Sequence, residues 1–420
     1  MSLMLPALQK FYSALKQLMQ FSIENDFYDN VSCIDTFLTE YRSVTFALQK
    51  SLGRNDDPVY IKNRDFYLKG DKVLSDWLID QRNIVDHEHP FSLKKVLRVV
   101  IYDFGNAVVF RQYEQKIDKD EPLGDYLQAI KDTFKSIQIP EINFSAQLLF
   151  VNDEDASEKS IFDFIERGVL VMWQFLHAMK ADIKDESEVA NDIMGRIDSL
   201  FHRMSKRWII DALDYCYYQS NDTFERGSSL TMALPEIRMP KELFVLQVKN
   251  LTSTIDNFYD AFIYFHTYAY IEQQHHILST FYIEFNDETF QVIAFSASIR
   301  TTMYRYVNRV ANLVEEGNVA NVYLVAETVG YGVDLMNNPG FLRLNYDEKR
   351  AFRNKTFLTL YKVSSSGEII PVMMDADDLV DRLSVSAVMS KVKAANQPDQ
   401  FSVMLSPIMR AFRKTQANRK

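Results

Sequence analysis

The chain has 420 residues, 47% hydrophobic and 25% charged, a composition that excludes disorder over most of its length and, at roughly 150 residues per domain, suggests two or three domains. With only 12 Gly and 11 Pro, folds built on many glycine turns are disfavoured and long helices become the default. The 57 acidic against 47 basic side chains give a net charge of -10, so the molecule as a whole repels phosphate, and a polynucleotide would need a local basic patch.

The two cysteines, Cys33 and Cys216, lie far apart in sequence. They fit neither a disulfide scaffold nor a zinc ribbon and suit a reducing cytoplasm as buried apolar residues. The amino terminus lacks the charged start and unbroken apolar run of a signal peptide. Apolar stretches such as Gly168 to Met179 fall short of the roughly 20 residues that span a bilayer. The expectation is a soluble, cytoplasmic protein with no membrane partner.

In chain order, Leu8, Phe11, Tyr12, Leu15, Leu18 and Met19 recur at three- and four-residue intervals, which predicts a first helix. A longer one is predicted from Tyr28 to Leu52, with Ile34, Phe37, Leu38, Tyr41, Val44, Thr45 and Leu48 on one stripe and Gly53 as its stop. A third opens at Asp71, a capping residue, carries Leu74, Trp77, Leu78, Ile84 and Val85, and ends before Pro90. The spacing of Leu97, Val100, Phe104, Val108 and Phe110 predicts a fourth helix over Ser92 to Ile117, followed by a charged turn at Asp118 to Glu121. These helices form a first bundle over residues 1–135.

Residues 136–280 read as a mostly helical middle region, with helices at Lys159 to Ala181, Glu188 to Tyr218 and Lys241 to Ser279 and a loop at Asn221 to Arg238. The composition then shifts. Phe281 to Asp287, Phe290 to Ala297, Val319 to Val329, Lys355 to Val363 and Glu368 to Met374 are rich in β-branched and aromatic residues and predict strands. With a helix at Thr302 to Glu316 and a hairpin turn at Ser364 to Gly367, residues 281–395 read as a small α/β domain, and 396–420 as a solvated basic tail. The fold class expected is mainly α.

No phosphate loop, Gly-x-Gly-x-x-Gly, His-Glu-x-x-His, Gly-x-Ser-x-Gly or pair of Cys-x-x-Cys occurs, which argues against nucleotide-hydrolysing, zinc-protease and esterase chemistry. The seven histidines cluster in two places. One is Arg82-Asn83-Ile84-Val85-Asp86-His87-Glu88-His89-Pro90 at the end of the third helix. It resembles the motif of the HEPN superfamily of helical bundles, in which an Arg followed by a polar residue precedes a His by four to six positions. Arg82 and Asn83 with His87 come close to that spacing, Arg82 with His89 comes close from the other side, and the preceding amphipathic helix fits the family's arrangement. A second Arg–His spacing, Arg196 with His202, lies on a helix whose Met194, Ile197, Phe201, Met204 and Trp208 read as core, and it is set aside.

The resemblance implies an HEPN-like bundle over 1–135, a metal-independent endoribonuclease acting on RNA, a homodimer in which each copy supplies an Arg and a His, and a role as a toxin, with an antitoxin or other protein partner, or in phage defence. The chemistry is physically sensible without cofactor or metal. An imidazole titrates near neutrality and can take a 2'-hydroxyl proton, and a guanidinium can meet the charge that builds on phosphoryl oxygens. Candidate catalytic residues are therefore Arg82, Asn83 and His87, with His89 as the rival base, and Asp35, Glu40 and Arg42 as flanking charges that read as solvated. The competing reading takes Arg82 and Asp86 as an ordinary i,i+4 ion pair in a non-catalytic interaction or regulatory protein whose α/β domain binds a ligand or partner.

The other cluster, Glu272 to His276, places Glu272 and His276 at metal-type four-residue spacing without a third ligand and reads as a packed helix end. The aromatic run Phe258 to Tyr270 reads as core or interface, with only a superficial likeness to a base-stacking surface.

Overall fold

A computed structural model describes the chain apart from residues 1, 24, 54–56, 104–107, 118–121, 137–143, 155–158, 211–213, 219–221, 227–237, 252–254, 274–276, 296–299, 337, 339–340, 342–343, 345–347, 350, 367, 380–404 and 419–420. It divides into two compact units: Met1–Leu97 with Gln115–Tyr126 and Leu148–Trp208, and Arg98–Glu114 with Leu127–Gln147 and Ile209–Lys420.

The first elements are α1 (Leu5–Leu18), α2 (Phe27–Leu52), α3 (Pro58–Asn63), a π-helical turn (Arg64–Leu68) and α4 (Lys72–His87). Their ends follow local chemistry. Asp26 caps α2 by accepting from the Tyr28 amide at 2.8 Å, and Gly53 closes it in the left-handed region at φ 74°. Asp71 caps α4 by accepting from the Leu74 amide at 3.1 Å, and the same carboxylate pairs with the buried Arg167. The stripe read from the sequence is the buried one: Ile34, Phe37, Leu38, Val44 and Leu48 of α2 pack against Leu8, Phe11 and Leu15 of α1.

Next come β1 (Leu93–Asp103), β2 (Val108–Ile117), α5 (Leu123–Ser136), β3 (Phe144–Asn152), α6 (Ile161–Asp182) and α7 (Glu188–Ile210). The helices α3, α4 and α6 close the bundle begun by α1 and α2. Trp77 stacks on Phe164 with ring centroids 4.6 Å apart, and the Tyr41 hydroxyl donates to the Gly168 carbonyl at 3.0 Å. At Gly168 a Cβ would lie 3.2 Å from Leu78 Cδ1, so glycine lets the helices approach this closely. The bundle thus draws on residues well beyond the first third of the chain.

The fourth helix predicted over Ser92 to Ile117 is instead the strands β1 and β2, with Arg98 donating to Glu114 at 2.6 Å. The reason is that Val96, Leu97, Val99 and Val100 are all buried. A strand with both faces covered is apolar at nearly every position, and such a run satisfies a helical spacing as readily as an extended one, while its β-branched residues favour the strand. Likewise the helix predicted through Tyr218 stops at Ile210, and β4 (Asp214–Tyr218) pairs antiparallel with β3 and β5 (Thr223–Arg226). This sheet has the order β2-β1-β3-β4-β5, and the division between the units falls within β1, β2 and β3.

The second unit contains a six-stranded sheet of order β11-β10-β9-β7-β8-β6. Its elements are β6 (Met239–Pro240), α8 (Lys241–Lys249), α9 (Phe258–Glu272), β7 (Ser279–Phe285), β8 (Thr289–Phe295), α10 (Arg300–Glu315), β9 (Val319–Gly330), α11 (Val333–Met336), β10 (Lys355–Ser364), β11 (Ile369–Asp375) and α12 (Ser406–Asn418). The single helix predicted from Lys241 to Ser279 is split into α8 and α9. Every strand pair is antiparallel. Phe281, Ile283, Val322 and Leu324 face α10 and α12, whereas Tyr282, Tyr323 and Val325 face α8 and α9. This two-residue alternation, apolar on both sides, is what a sheet sandwiched between helices requires.

The mainly α class is therefore corrected to a mixed α and β architecture with two antiparallel sheets, helix remaining the larger share. The end of the chain differs from a solvated tail as well. Helix α12 buries Ile408, Met409, Ala411 and Phe412, leaves Arg410, Arg413 and Lys414 exposed, and ties Lys414 to Glu315 at 2.9 Å. Much of the predicted Asn221 to Arg238 loop and the Asp118 to Glu121 turn lie outside the described residues. Among the described residues, no helix is long and apolar enough to cross a membrane.

Candidate functional site at the α2–α4 seam

Helices α2 and α4 run antiparallel along a seam marked by two contacts. The Phe91 amide donates to Asp35 Oδ1 at 2.8 Å, and the Thr39 hydroxyl donates to Asp86 Oδ1 at 2.9 Å. Continuing this register by one turn sets Arg42 of α2 beside Arg82 of α4.

Arg82 is held in place by its own helix. Its Nε lies 2.7 Å from Asp86 Oδ2, with side chains 24% and 19% exposed, and its Nη1 donates to Asn83 Oδ1 at 3.0 Å. The Nε is buried yet has no acceptor in line for a hydrogen bond, so the Asp86 contact is one of charge more than of direction. Arg42 differs: among the described residues it has no carboxylate partner, and its guanidinium lies over the Phe46 ring at 4.5 Å. Burial, and then the Arg82 charge, hold Arg42 below the usual guanidinium range, though a guanidinium stays protonated at any physiological pH.

The two candidate histidines are now distinguishable. His89 has its Nδ1 2.9 Å from the Pro90 carbonyl oxygen and its Nε2 3.2 Å from Glu154 Oε1, which also accepts from the Ser92 hydroxyl at 2.6 Å. Both ring nitrogens face acceptors, an arrangement that only the imidazolium satisfies fully. The Pro90 contact, against the smaller effect of burial and with the Glu154, Glu88 and Asp35 charges, raises its pKa above the ordinary histidine value. His89 thus has both ring nitrogens engaged by the Pro90 carbonyl and the Glu154 carboxylate, so neither is free to take a substrate proton. His87, the last residue of α4, is exposed and has no hydrogen-bond or ion-pair partner among the described residues.

Arg82 and His87 are not brought face to face within one chain. Five residues along a helix amount to a rotation of about 140° between side-chain directions. Asn83, also exposed, contacts Arg82 and neither histidine.

The flanking charges have defined tasks. Asp35, its pKa raised by burial against the opposing Phe91 amide and His89 charge, anchors the segment after α4, while Glu40 pairs with Lys10 at 3.1 Å. Sequence reasoning missed Thr39, Glu154 and Phe46. Only Phe46 left a signal: it is an aromatic residue outside the buried stripe of α2, and it is 49% exposed.

Elsewhere, Arg196 pairs with Asp192 on α7, whose Met194, Ile197 and Phe201 are buried. The aromatic run of α9 is core: Phe258, Phe262, Tyr264 and Tyr270 are buried against the second sheet. Cys33 is buried and free. His275, His276 and the Cys216 side chain lie outside the described residues. Among the described residues, no group of three or more His, Cys, Asp or Glu side chains could hold a metal ion. No family model matches the chain, and neither a curated protein nor a solved structure matches it.

Proposed function

We propose that the protein is a metal-independent endoribonuclease whose site is completed by two copies of the chain. The observation that carries the reading is the exposed imidazole of His87, without a partner among the described residues, at the end of the helix that also presents Arg82, beside Arg42. Because Arg82 and His87 diverge on α4, His87 of one copy would act with Arg82 of the other across a two-fold contact.

In this reading His87 takes the proton from a 2'-hydroxyl, the 2'-oxygen bonds to phosphorus, and the bond to the 5'-oxygen breaks. The imidazolium returns its proton to that leaving oxygen, giving a 2',3'-cyclic phosphate and a 5'-hydroxyl end. Arg82, oriented by Asp86 and Asn83, meets the charge on the non-bridging oxygens. His89, held between the Pro90 carbonyl and the Glu154 carboxylate, orients the chain after α4. A role as a toxin with an antitoxin, or in phage defence, follows from the HEPN likeness and from no residue by itself.

The test is cleavage of single-stranded RNA by purified protein in excess chelator, with product ends identified by mass. Cleavage to cyclic phosphate that disappears in Arg82→Ala and in His87→Ala supports the reading. Cleavage that survives either change, or that needs added metal, refutes it. The chain Thr39–Asp86–Arg82 favours one other reading, in which Arg82 only fastens α2 to α4 in a non-catalytic interaction protein. In that case both variants lose stability and no RNA is cut by the parent protein.

A further inference from the structure

Beside Arg82, the α2–α4 seam carries two groups, Arg42 and Phe46, that the proton transfers of cleavage do not use. Arg42 has no carboxylate partner among the described residues, whereas the neighbouring Arg82 is balanced by Asp86. Locally, then, the pair leaves one positive charge unspent in a chain whose net charge is -10. A lone cation kept beside another cation is electrostatically unfavourable unless an anion arrives. One turn further along α2, the Phe46 ring keeps 49% of its surface exposed although Arg42 covers one face. An exposed aromatic ring beside an unneutralised guanidinium suits a flat, partly apolar ligand that bears a phosphate.

We propose that Arg42 and Phe46 form a nucleotide-binding subsite for single-stranded RNA, with Arg42 and Arg82 holding one backbone phosphate and Phe46 receiving an unpaired base by stacking. The inference rests on the ribonuclease reading and names how that site selects its substrate. A base in a duplex is already stacked and cannot lie on Phe46, so the subsite favours unpaired RNA. The single uncompensated charge also limits the electrostatic contribution to about one phosphate. Arg42 and Phe46 bind the RNA in this arrangement and take no part in the proton transfers.

The experiment measures binding of a short fluorescein-labelled oligouridine or oligoadenine, and of a blunt RNA duplex, by fluorescence anisotropy on the full-length His87→Ala chain, which leaves the RNA intact. Arg42→Gln, Phe46→Leu and, as a charge control on α7, Arg196→Gln are compared in that background, with thermal melting to verify folding. The expected result is single-strand affinity weakened roughly fivefold or more by Phe46→Leu. Arg42→Gln should weaken it too and lower the slope of log affinity against log salt by ~0.7. Arg196→Gln should change neither, and the duplex should bind more weakly than either single strand.

Unchanged single-strand affinity in both seam variants overturns the inference, as does equal binding of the duplex. So does a Phe46→Leu chain that becomes monomeric while binding RNA as before, since the ring would then belong to a contact between copies. The two proposals fail separately. If the parent protein cuts RNA but Arg42→Gln and Phe46→Leu leave KM untouched, the subsite falls and the nuclease stands. If it cuts nothing, yet both variants lose binding, the nuclease falls and the subsite stands.

Discussion

Thr39 of α2 and Asp86 of α4 are joined by a 2.9 Å hydrogen bond, and the other oxygen of the same carboxylate lies 2.7 Å from Arg82 Nε. One side chain thereby sets both the spacing of two helices and the aim of a guanidinium. Asp86→Ala should cost about 1–2 kcal/mol, because it leaves a partly buried Arg82 without its counter-charge and Thr39 without its acceptor. Asp86→Asn keeps the acceptor and should cost less. Urea unfolding of the two variants checks the order, and equal stability of parent and Asp86→Ala would show that the link contributes nothing.

His89 should titrate above an ordinary histidine, because its two nitrogens meet the Pro90 carbonyl and the Glu154 carboxylate. A group whose folded pKa is raised contributes stability that is fully present below the unfolded value and is lost as pH rises through the folded one. The ring is exposed, so the effect is best read from its NMR chemical shift. Glu154→Gln should bring the titration midpoint down, and a midpoint that stays put would mean the carboxylate does not act on the imidazole.

In the second unit His266 is enclosed by Phe262, Phe265 and Tyr282, with centroid distances of 4.9, 5.1 and 5.1 Å, and neither ring nitrogen has a hydrogen-bond partner among the described residues. Burial pushes its pKa down to about 3. The unfolded chain binds the proton near pH 6.5 and the folded one does not, so stability is full above that pH and falls as pH drops toward 3. Between pH 7.5 and 5 the loss from this group should be about 2 kcal/mol. His266→Leu should flatten that slope. If urea midpoints of parent and variant fall equally over this range, the buried imidazole is not the source.

Glu284 is a buried acid of that unit with both carboxylate oxygens engaged. Its side chain is 10% exposed, Lys241 Nζ lies 2.7 Å from Oε1, and Oε2 accepts from Asn321 Nδ2 at 2.8 Å and the Tyr323 hydroxyl at 2.7 Å. Burial alone would raise its pKa, but Lys241, Tyr323 and Asn321 together hold it below the usual carboxylate range. Its stabilisation is therefore present above the unfolded carboxyl pKa and lost as pH falls through the lower folded value. Glu284→Ala strands three donors and should cost about 3–5 kcal/mol at neutral pH. A loss under 1 kcal/mol by thermal or urea melting would mean water replaces the carboxylate without penalty.

The parts of this architecture that a sequence displays are those governed by local rules. Asp71, Pro90 and Gly53 mark real helix ends because capping and chain reversal act within a few residues, and the α2 stripe is buried where its spacing says. β1 was hidden because burial on both faces erases the two-residue alternation that identifies a strand. The basic end looked solvated because charge dominates its composition, yet Ile408 and Phe412, four residues apart, carry the face that packs on α10. At the site, the Arg82 to His89 segment was visible as a pattern. What it could not reveal was orientation: that Asp86 would claim Arg82, that Glu154, distant in sequence, would fix His89, and that His87 would be left over.

The most direct test of the central claim is complementation in excess chelator. Arg82→Ala and His87→Ala chains, each inactive on single-stranded RNA alone, are mixed, allowed to exchange subunits, and assayed. A site built from Arg82 of one copy and His87 of another predicts recovery of roughly a quarter of the parent activity, since half the dimers are mixed and each holds one intact site. Activity in either variant alone, or a mixture that stays silent although subunit exchange is demonstrated, would contradict it.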